Sequence, residues 1–158
     1  MANSQLKTMS QNPSNPIRNL LRAVYDVTER IAKARVEQYS ALKALHAKVS
    51  PGAREDDLPD EYLVIRDAET RCAKAVAKGD GQSVAEILEL LRRVYALQKD
   101  LDDFQSEYYA AVGGLRQELS RYPEGKSWRD MDTPRVIELA EHILCLEETG
   151  MVNDGKTS

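Results

Sequence analysis

The chain has 158 residues, of which 42% are hydrophobic and 30% charged, and its formal net charge is −4. This length suits one ordinary domain whose core needs no disulfide framework, and the two cysteines, Cys72 and Cys145, are expected to be buried, reduced thiols inside helices. No stretch approaches the roughly 20 apolar residues of a membrane span, and the N-terminus lacks the apolar segment of a signal peptide. We therefore expect a cytoplasmic protein with no membrane partner.

The charge is distributed unevenly along the chain. Between residues 15 and 49, seven basic residues stand against three acidic ones, which gives this segment a charge of +4 and leaves −8 for the remainder. Opposite charges on two parts of a chain favour a defined pairing between those parts, or between two copies. The basic segment also suits a nucleic-acid contact, although the overall acidity argues against a protein whose main task is to bind duplex phosphates.

The first predicted helix spans about residues 16–49. Asn15 is a good N-cap, Pro16 suits the first helical turn, and Ser50-Pro51-Gly52 ends the segment. A slip in the apolar rhythm near Gln38 is typical of a coiled-coil stutter. The apolar residues otherwise recur at steps of three and four: Ile17, Leu20, Leu21, Val24, Val27, Ile31, Ala34, Tyr39, Leu42, Leu45 and Val49.

A second long helix is predicted over about residues 83–121. Ser83 and Glu86 have the spacing of a capping box, in which each side chain accepts a hydrogen bond from a backbone donor that the helix leaves unpaired. Gly113 and Gly114 are unfavourable in a helix interior, so this pair would end the helix, kink it or mark a place where another backbone comes close, and a kink or break is expected. Its apolar stripe contains Val84, Ile87, Leu88, Leu91, Val94, Leu101, Phe104, Tyr108, Val112, Leu115 and Leu119.

Two shorter helices are predicted beside the long ones. One begins near Asp60 and ends at Gly79, which supplies the left-handed residue that often follows a helix. The other begins with Thr133 as N-cap and Pro134 in the first turn, and ends before Gly150.

Together these segments predict an all-α fold, an elongated helical bundle built on two long antiparallel helices with two shorter helices at their sides. Residues 15–150 are expected to form a single helical-bundle domain, between a disordered N-terminal tail at residues 1–14 and a flexible C-terminal tail at residues 151–158. Where one chain does not cover both long apolar stripes along their whole length, the exposed part favours a second copy, so a homo-oligomer is expected.

None of the sequence patterns that carry catalysis or bind a metal is convincing. Glu138, His142 and Cys145 are spaced to share one face of the last helix, but a tight metal site needs further ligands, and His46 is the only other histidine. The glycine-rich run at residues 79–83 lacks the lysine and the preceding strand of a P-loop. We therefore predict a non-enzyme with no catalytic residues, no metal and no cofactor.

The preferred functional hypothesis is a structural or adaptor protein that binds other proteins, and copies of itself, through long helical faces. Trp128, the only tryptophan, lies in a polar loop, where it would either anchor a partner or fold back over the end of the bundle. The predicted interface residues are Leu20, Val24, Val27, Ile31, Leu91, Val94 and Trp128.

The alternative, which is less favoured, is an accessory subunit of a nucleoprotein complex that touches RNA or single-stranded DNA along the basic first helix. Tyr25 and Tyr95 would stack on bases in that case. The competing explanation is that ion pairs one helical turn apart merely keep the helix surface solvated. The candidate phosphate contacts are Arg18, Arg22, Arg30, Lys33, Arg92 and Arg93.

Overall fold

The computed structural model describes residues 15–52, 58–122 and 131–149, and the regular structure within them is helical. The helices are α1 (Pro16–Val49), α2 (Glu61–Ala77), α3 (Ala85–Leu119) and α4 (Thr133–Glu148), with a 3₁₀ turn (Gly81–Val84) leading into α3. The prediction of an all-α bundle based on two long and two shorter helices is confirmed. The predicted tails at residues 1–14 and 151–158 lie outside the described residues.

Short polar side chains set the beginnings of the helices. Asn15, the predicted N-cap, precedes α1, and Asp60, near which the next helix was predicted to begin, precedes α2. Each side chain accepts a hydrogen bond from a backbone N–H of the first turn, at 3.1 and 2.8 Å. The predicted cap of α4 is wrong by one residue. The N-cap is Asp132, not Thr133, and its side-chain oxygen accepts a hydrogen bond from the backbone N–H of Arg135 at 3.0 Å.

The predicted capping box at Ser83 is also wrong. Ser83 belongs to the 3₁₀ turn, and its hydroxyl donates to the Asp80 carbonyl at 2.9 Å instead of accepting a backbone N–H of α3. Glu86 forms an ion pair with Lys48 of α1, which lowers the pKa of the glutamate carboxyl below its usual range. The Glu86 side chain, which the predicted capping box required, is therefore engaged in a contact with α1.

The contacts between residues divide the chain into two compact units. The middle unit contains residues 29–105, and the terminal unit contains the segments on either side of it. In the middle unit α1 and α3 run antiparallel, since the order of their side-chain contacts is reversed along the two helices. These contacts join Arg30 to Phe104, Glu37 to Arg93 and Lys48 to Glu86.

Gln38 explains the irregular apolar rhythm of α1. In the middle unit the inward-facing positions of α1 are 31, 34, 38, 41, 42, 45 and 49, and Gln38 is the polar member of this otherwise apolar series. The amide nitrogens of Gln38 and Gln98 both donate to Glu61 Oε1, at 3.0 and 2.8 Å, so three helices meet at one carboxylate. The predicted stutter is therefore wrong, and Tyr39, which it assigned to the apolar stripe, is 52% exposed.

The terminal unit has a core of its own, built from α1, α3 and α4. Ile17, Leu115 and Leu119 are almost fully buried there, together with Val136 and Ile143. These residues exclude water from the contact between the first turns of α1, the last turns of α3 and the inner face of α4.

The glycine pair of α3 lies in this terminal unit. The helix continues through Gly113 and Gly114 to Leu119, so the pair does not break it. A Cβ atom at Gly114 would lie 2.8 Å from Leu20 Cδ2 of α1, whereas one at Gly113 would have no neighbour within 4 Å. Gly114 thus permits a close approach between α1 and α3.

Candidate interaction surface

Four of the predicted interface residues are buried within this chain. Val24, Val27, Leu91 and Val94 are at most 4% exposed. They stabilise the two units themselves, and their side chains do not reach the surface in this conformation. Leu20 and Ile31 are partly buried, and Trp128 lies outside the described residues. The role of these residues in an interface stays a prediction.

Several of the predicted phosphate contacts have neighbours within the chain. Arg18 forms an ion pair with Glu148 in the terminal unit. In the middle unit Arg92 lies 3.6 Å from Glu89 and Arg93 lies 3.9 Å from Glu37, and the Arg30 guanidinium stacks 5.0 Å from the Phe104 ring. Arg22 also makes a polar or electrostatic contact, and Lys33 is exposed. The carboxylates beside Arg18, Arg92 and Arg93 reduce the positive potential available to a phosphate.

Tyr25 and Tyr95, the candidates for base stacking, each form a hydrogen bond to another helix of the chain. Tyr25 of α1 donates its hydroxyl proton to Glu141 of α4, and Tyr95 of α3 donates to Glu69 of α2. Partial burial, followed by the bond to the glutamate, raises the pKa of each tyrosine to about 12. Each hydrogen bond joins a short helix to a long one, which accounts for the position of these rings without a ligand.

A shallow groove of about 320 Å³ lies between α1 and α4 in the terminal unit. Leu21 and Leu144 contribute apolar surface, and Arg18 and Glu148 contribute an ion pair that is satisfied within the chain. Cys145 also lines the groove, and its thiol is exposed, so the expectation that it is buried is wrong. The ion pair compensates the charges of Arg18 and Glu148 in this groove.

Glu138, His142 and Cys145 are all exposed on α4. In the described part of the chain, no three His, Cys, Asp or Glu side chains are grouped closely enough to hold a metal ion.

The surface that the sequence analysis missed is the outward side of α1 in the middle unit. Val36 is 70% exposed and Tyr39 is 52% exposed, and the ammonium group of Lys43 lies 5.5 Å from the centroid of the Tyr39 ring. Steps of three and four residues place these side chains on one face of the helix, opposite Ala34, Leu45 and Val49 of the core. We call this face the outer stripe, and its members are Ala32, Val36, Tyr39, Lys43 and Ala47.

One signal in the sequence could have revealed the outer stripe. Val36 lies two residues after Ala34, which is half a helical turn away from the core-facing series. A β-branched apolar residue out of phase with the core is either solvent-exposed or covered by another surface. Because Gln38 interrupts the apolar series, the sequence pattern placed Tyr39 in the core stripe and left Val36 out of it.

Comparison of the chain with protein-family models, curated proteins and solved structures finds no match. Among the described helices, none has the length and apolar character needed to cross a membrane.

Proposed function

We propose that this chain is a non-catalytic structural or adaptor protein that works by protein–protein interaction, as a homo-oligomer in the cytoplasm. The observation that carries the proposal is the outer stripe, where Val36 and Tyr39 are exposed to solvent although the opposite side of the same helix is buried in the core. Covering these two side chains would release water from apolar surface, and tyrosine is enriched at protein interfaces.

The chemistry around the outer stripe supports a protein partner. Lys43 lies against Tyr39, and Lys33 and Glu37 flank the stripe, so apolar contacts are bordered by charges of both signs. An apolar centre with a polar rim is the usual construction of a protein–protein contact. The free thiols of Cys72 and Cys145 are compatible with a reducing compartment.

The proposal can be tested by placing a photoreactive amino acid at position 36 of the full chain and irradiating the cells that produce it. We expect covalent adducts with protein from position 36. Position 76 provides the matched control, because Val76 is also an exposed valine of the middle unit, 58% accessible, but lies on α2.

Each protein found in an adduct is then purified and titrated against the wild type and the V36E variant. The proposal expects V36E to weaken binding while the melting temperature stays unchanged. If position 36 forms no more adducts than position 76, or if V36E binds as well as the wild type, the outer stripe is not an interaction surface.

A further inference from the structure

We propose that the outer stripe pairs with the outer stripe of a second copy of this chain, antiparallel, about a twofold axis beside Val36. This inference rests on the proposed function, because it names the partner and the geometry of the same surface. It is carried by the order of charges along the exposed face of α1.

Glu29 and Lys43 are placed symmetrically about Val36. Each lies seven residues from it, and seven residues complete about two turns of an α-helix, so both charges lie on the face that carries Val36. When a second copy is laid antiparallel across Val36, Glu29 of each copy faces the partner's Lys43. A parallel arrangement would instead bring Glu29 against Glu29 and Lys43 against Lys43, which is repulsive.

A second pair of charges follows the same rule closer to the axis. Lys33 and Glu37 are one turn apart on one flank of the outer stripe, three residues before and one residue after Val36. In an antiparallel pair, a flank meets the equivalent flank of the other helix in reversed order. Lys33 therefore comes close to the partner's Glu37, twice in the dimer. Glu37 lies 3.9 Å from Arg93, a long contact in which both side chains are exposed.

The apolar residues fit the same arrangement. Val36 lies on the axis and meets its own copy, and the small side chain of Ala32 comes opposite the partner's Tyr39, which needs room for its ring. A twofold contact of this kind is self-complementary, because each contact between two different residues occurs twice. Since only one helix of each copy takes part, the interface is at the small end of specific interfaces, and we expect a weak dimer.

The charge order can be tested by reversal and rescue, with dimer dissociation measured by analytical ultracentrifugation. E29K alone and K43E alone each replace two attractions in the dimer by two repulsions, so each should raise the dissociation constant about tenfold. The double variant E29K/K43E exchanges the two signs and should return the constant close to the wild-type value. Melting temperatures of all three variants show whether the fold is intact.

The position of the axis is tested by a disulfide. In the C145A background, which removes the exposed thiol, V36C places two cysteines across the twofold axis, and their Cα atoms come within the roughly 7 Å that a disulfide requires. Mild oxidation should give a covalent dimer from V36C and none from V76C in the same background.

Two results would overturn the inference. One is a wild-type protein that stays monomeric at high concentration. The other is a dimer that the double variant does not rescue and that V36C does not cross-link. If position 36 still forms photo-adducts with another protein in either case, the outer stripe is a protein-binding surface and only the partner or the geometry proposed here is wrong. A monomeric wild type also removes the homo-oligomer from the proposed function. If those adducts are also absent, both proposals fail.

Discussion

The two neighbouring glycines of α3 should respond in opposite ways to the same substitution. Both lie inside the helix, where replacing glycine by alanine is worth about 0.5–1 kcal/mol through reduced freedom of the unfolded chain and better helix propensity. G113A should realise this gain, since a Cβ atom there has no neighbour within 4 Å. For a chain of this size, such a gain corresponds to an increase in melting temperature of about 1–4 °C.

G114A adds the same methyl group against Leu20. The new Cβ atom would lie 2.8 Å from Leu20 Cδ2 and 3.3 Å from Leu20 Cδ1, closer than van der Waals contact allows. Leu20 is partly exposed and can turn away, at a cost of about 0.5–1.5 kcal/mol for an off-rotamer side chain. The cost offsets the gain, so G114A should be about 1 kcal/mol less stable than G113A.

Urea unfolding followed by far-UV circular dichroism measures both variants, and L20A provides the control. In the L20A background the obstruction is absent, so G114A should stabilise the protein as much as G113A does. Equal stabilisation by G113A and G114A in the wild-type background would refute the close approach of Leu20 to α3. A loss of stability in G113A would contradict a continuous helix at this point.

Three further predictions concern the buried and hydrogen-bonded groups. E61A should destabilise the middle unit by about 1–3 kcal/mol in urea unfolding, because two glutamine amides lose their acceptor, and E61Q, which keeps one oxygen, should lose less. Tyr122 donates a hydrogen bond to Glu147, and partial burial with this bond raises the pKa of the tyrosine to about 12, so its contribution to stability is complete below about pH 10 and is lost as pH rises towards 12. The free energy of unfolding between pH 9 and 12 should therefore depend less on pH in Y122F than in the wild type. An identical pH profile for the two proteins would contradict the hydrogen bond. V94D should lose most of its helical circular dichroism, because it places an unpaired charge at a fully buried position. H142A, at an exposed position of α4, should change the free energy of unfolding by no more than about 0.5 kcal/mol.

Several features that depend only on neighbouring residues were predictable from the sequence, although the cap of α4 was misplaced by one residue. Asn15 caps α1 as expected, and Asp60, near which α2 was expected to begin, caps that helix, because an N-cap needs only the backbone of the next turn. Gly79 follows α2 with a positive φ of 75°, again for a local reason. The long helices were predictable because their apolar series are long and regular.

Features that depend on another helix were not predictable. The carboxylate that satisfies Gln38 comes from Glu61, on a different helix, so the sequence offered no reason to place a glutamine in the core-facing series. Glu86 was assigned to a local motif, but it pairs with Lys48 across the interface between α1 and α3.

The candidate site was the least predictable part. Apolar periodicity identified Val24 and Val94 equally well as core or as interface residues, because a stripe has the same spacing whether its own chain or a partner covers it. The structure places both residues in the core. Val36 lies half a helical turn away from Ala34 in the sequence, but that spacing alone does not say whether another surface covers the side chain.

The central claim is that this chain acts through protein–protein contact, and the most direct measurement is its molar mass in solution by light scattering at low and high salt. The ultraviolet absorbance ratio recorded on the same peak reports any bound nucleic acid. We predict a mass above that of one chain that rises with concentration, less steeply at high salt because salt screens the exposed charge pairs, with the absorbance ratio of pure protein at both salt levels. A single chain that carries nucleic acid at low salt and releases it at high salt would contradict the claim and would move the function to the basic residues of α1.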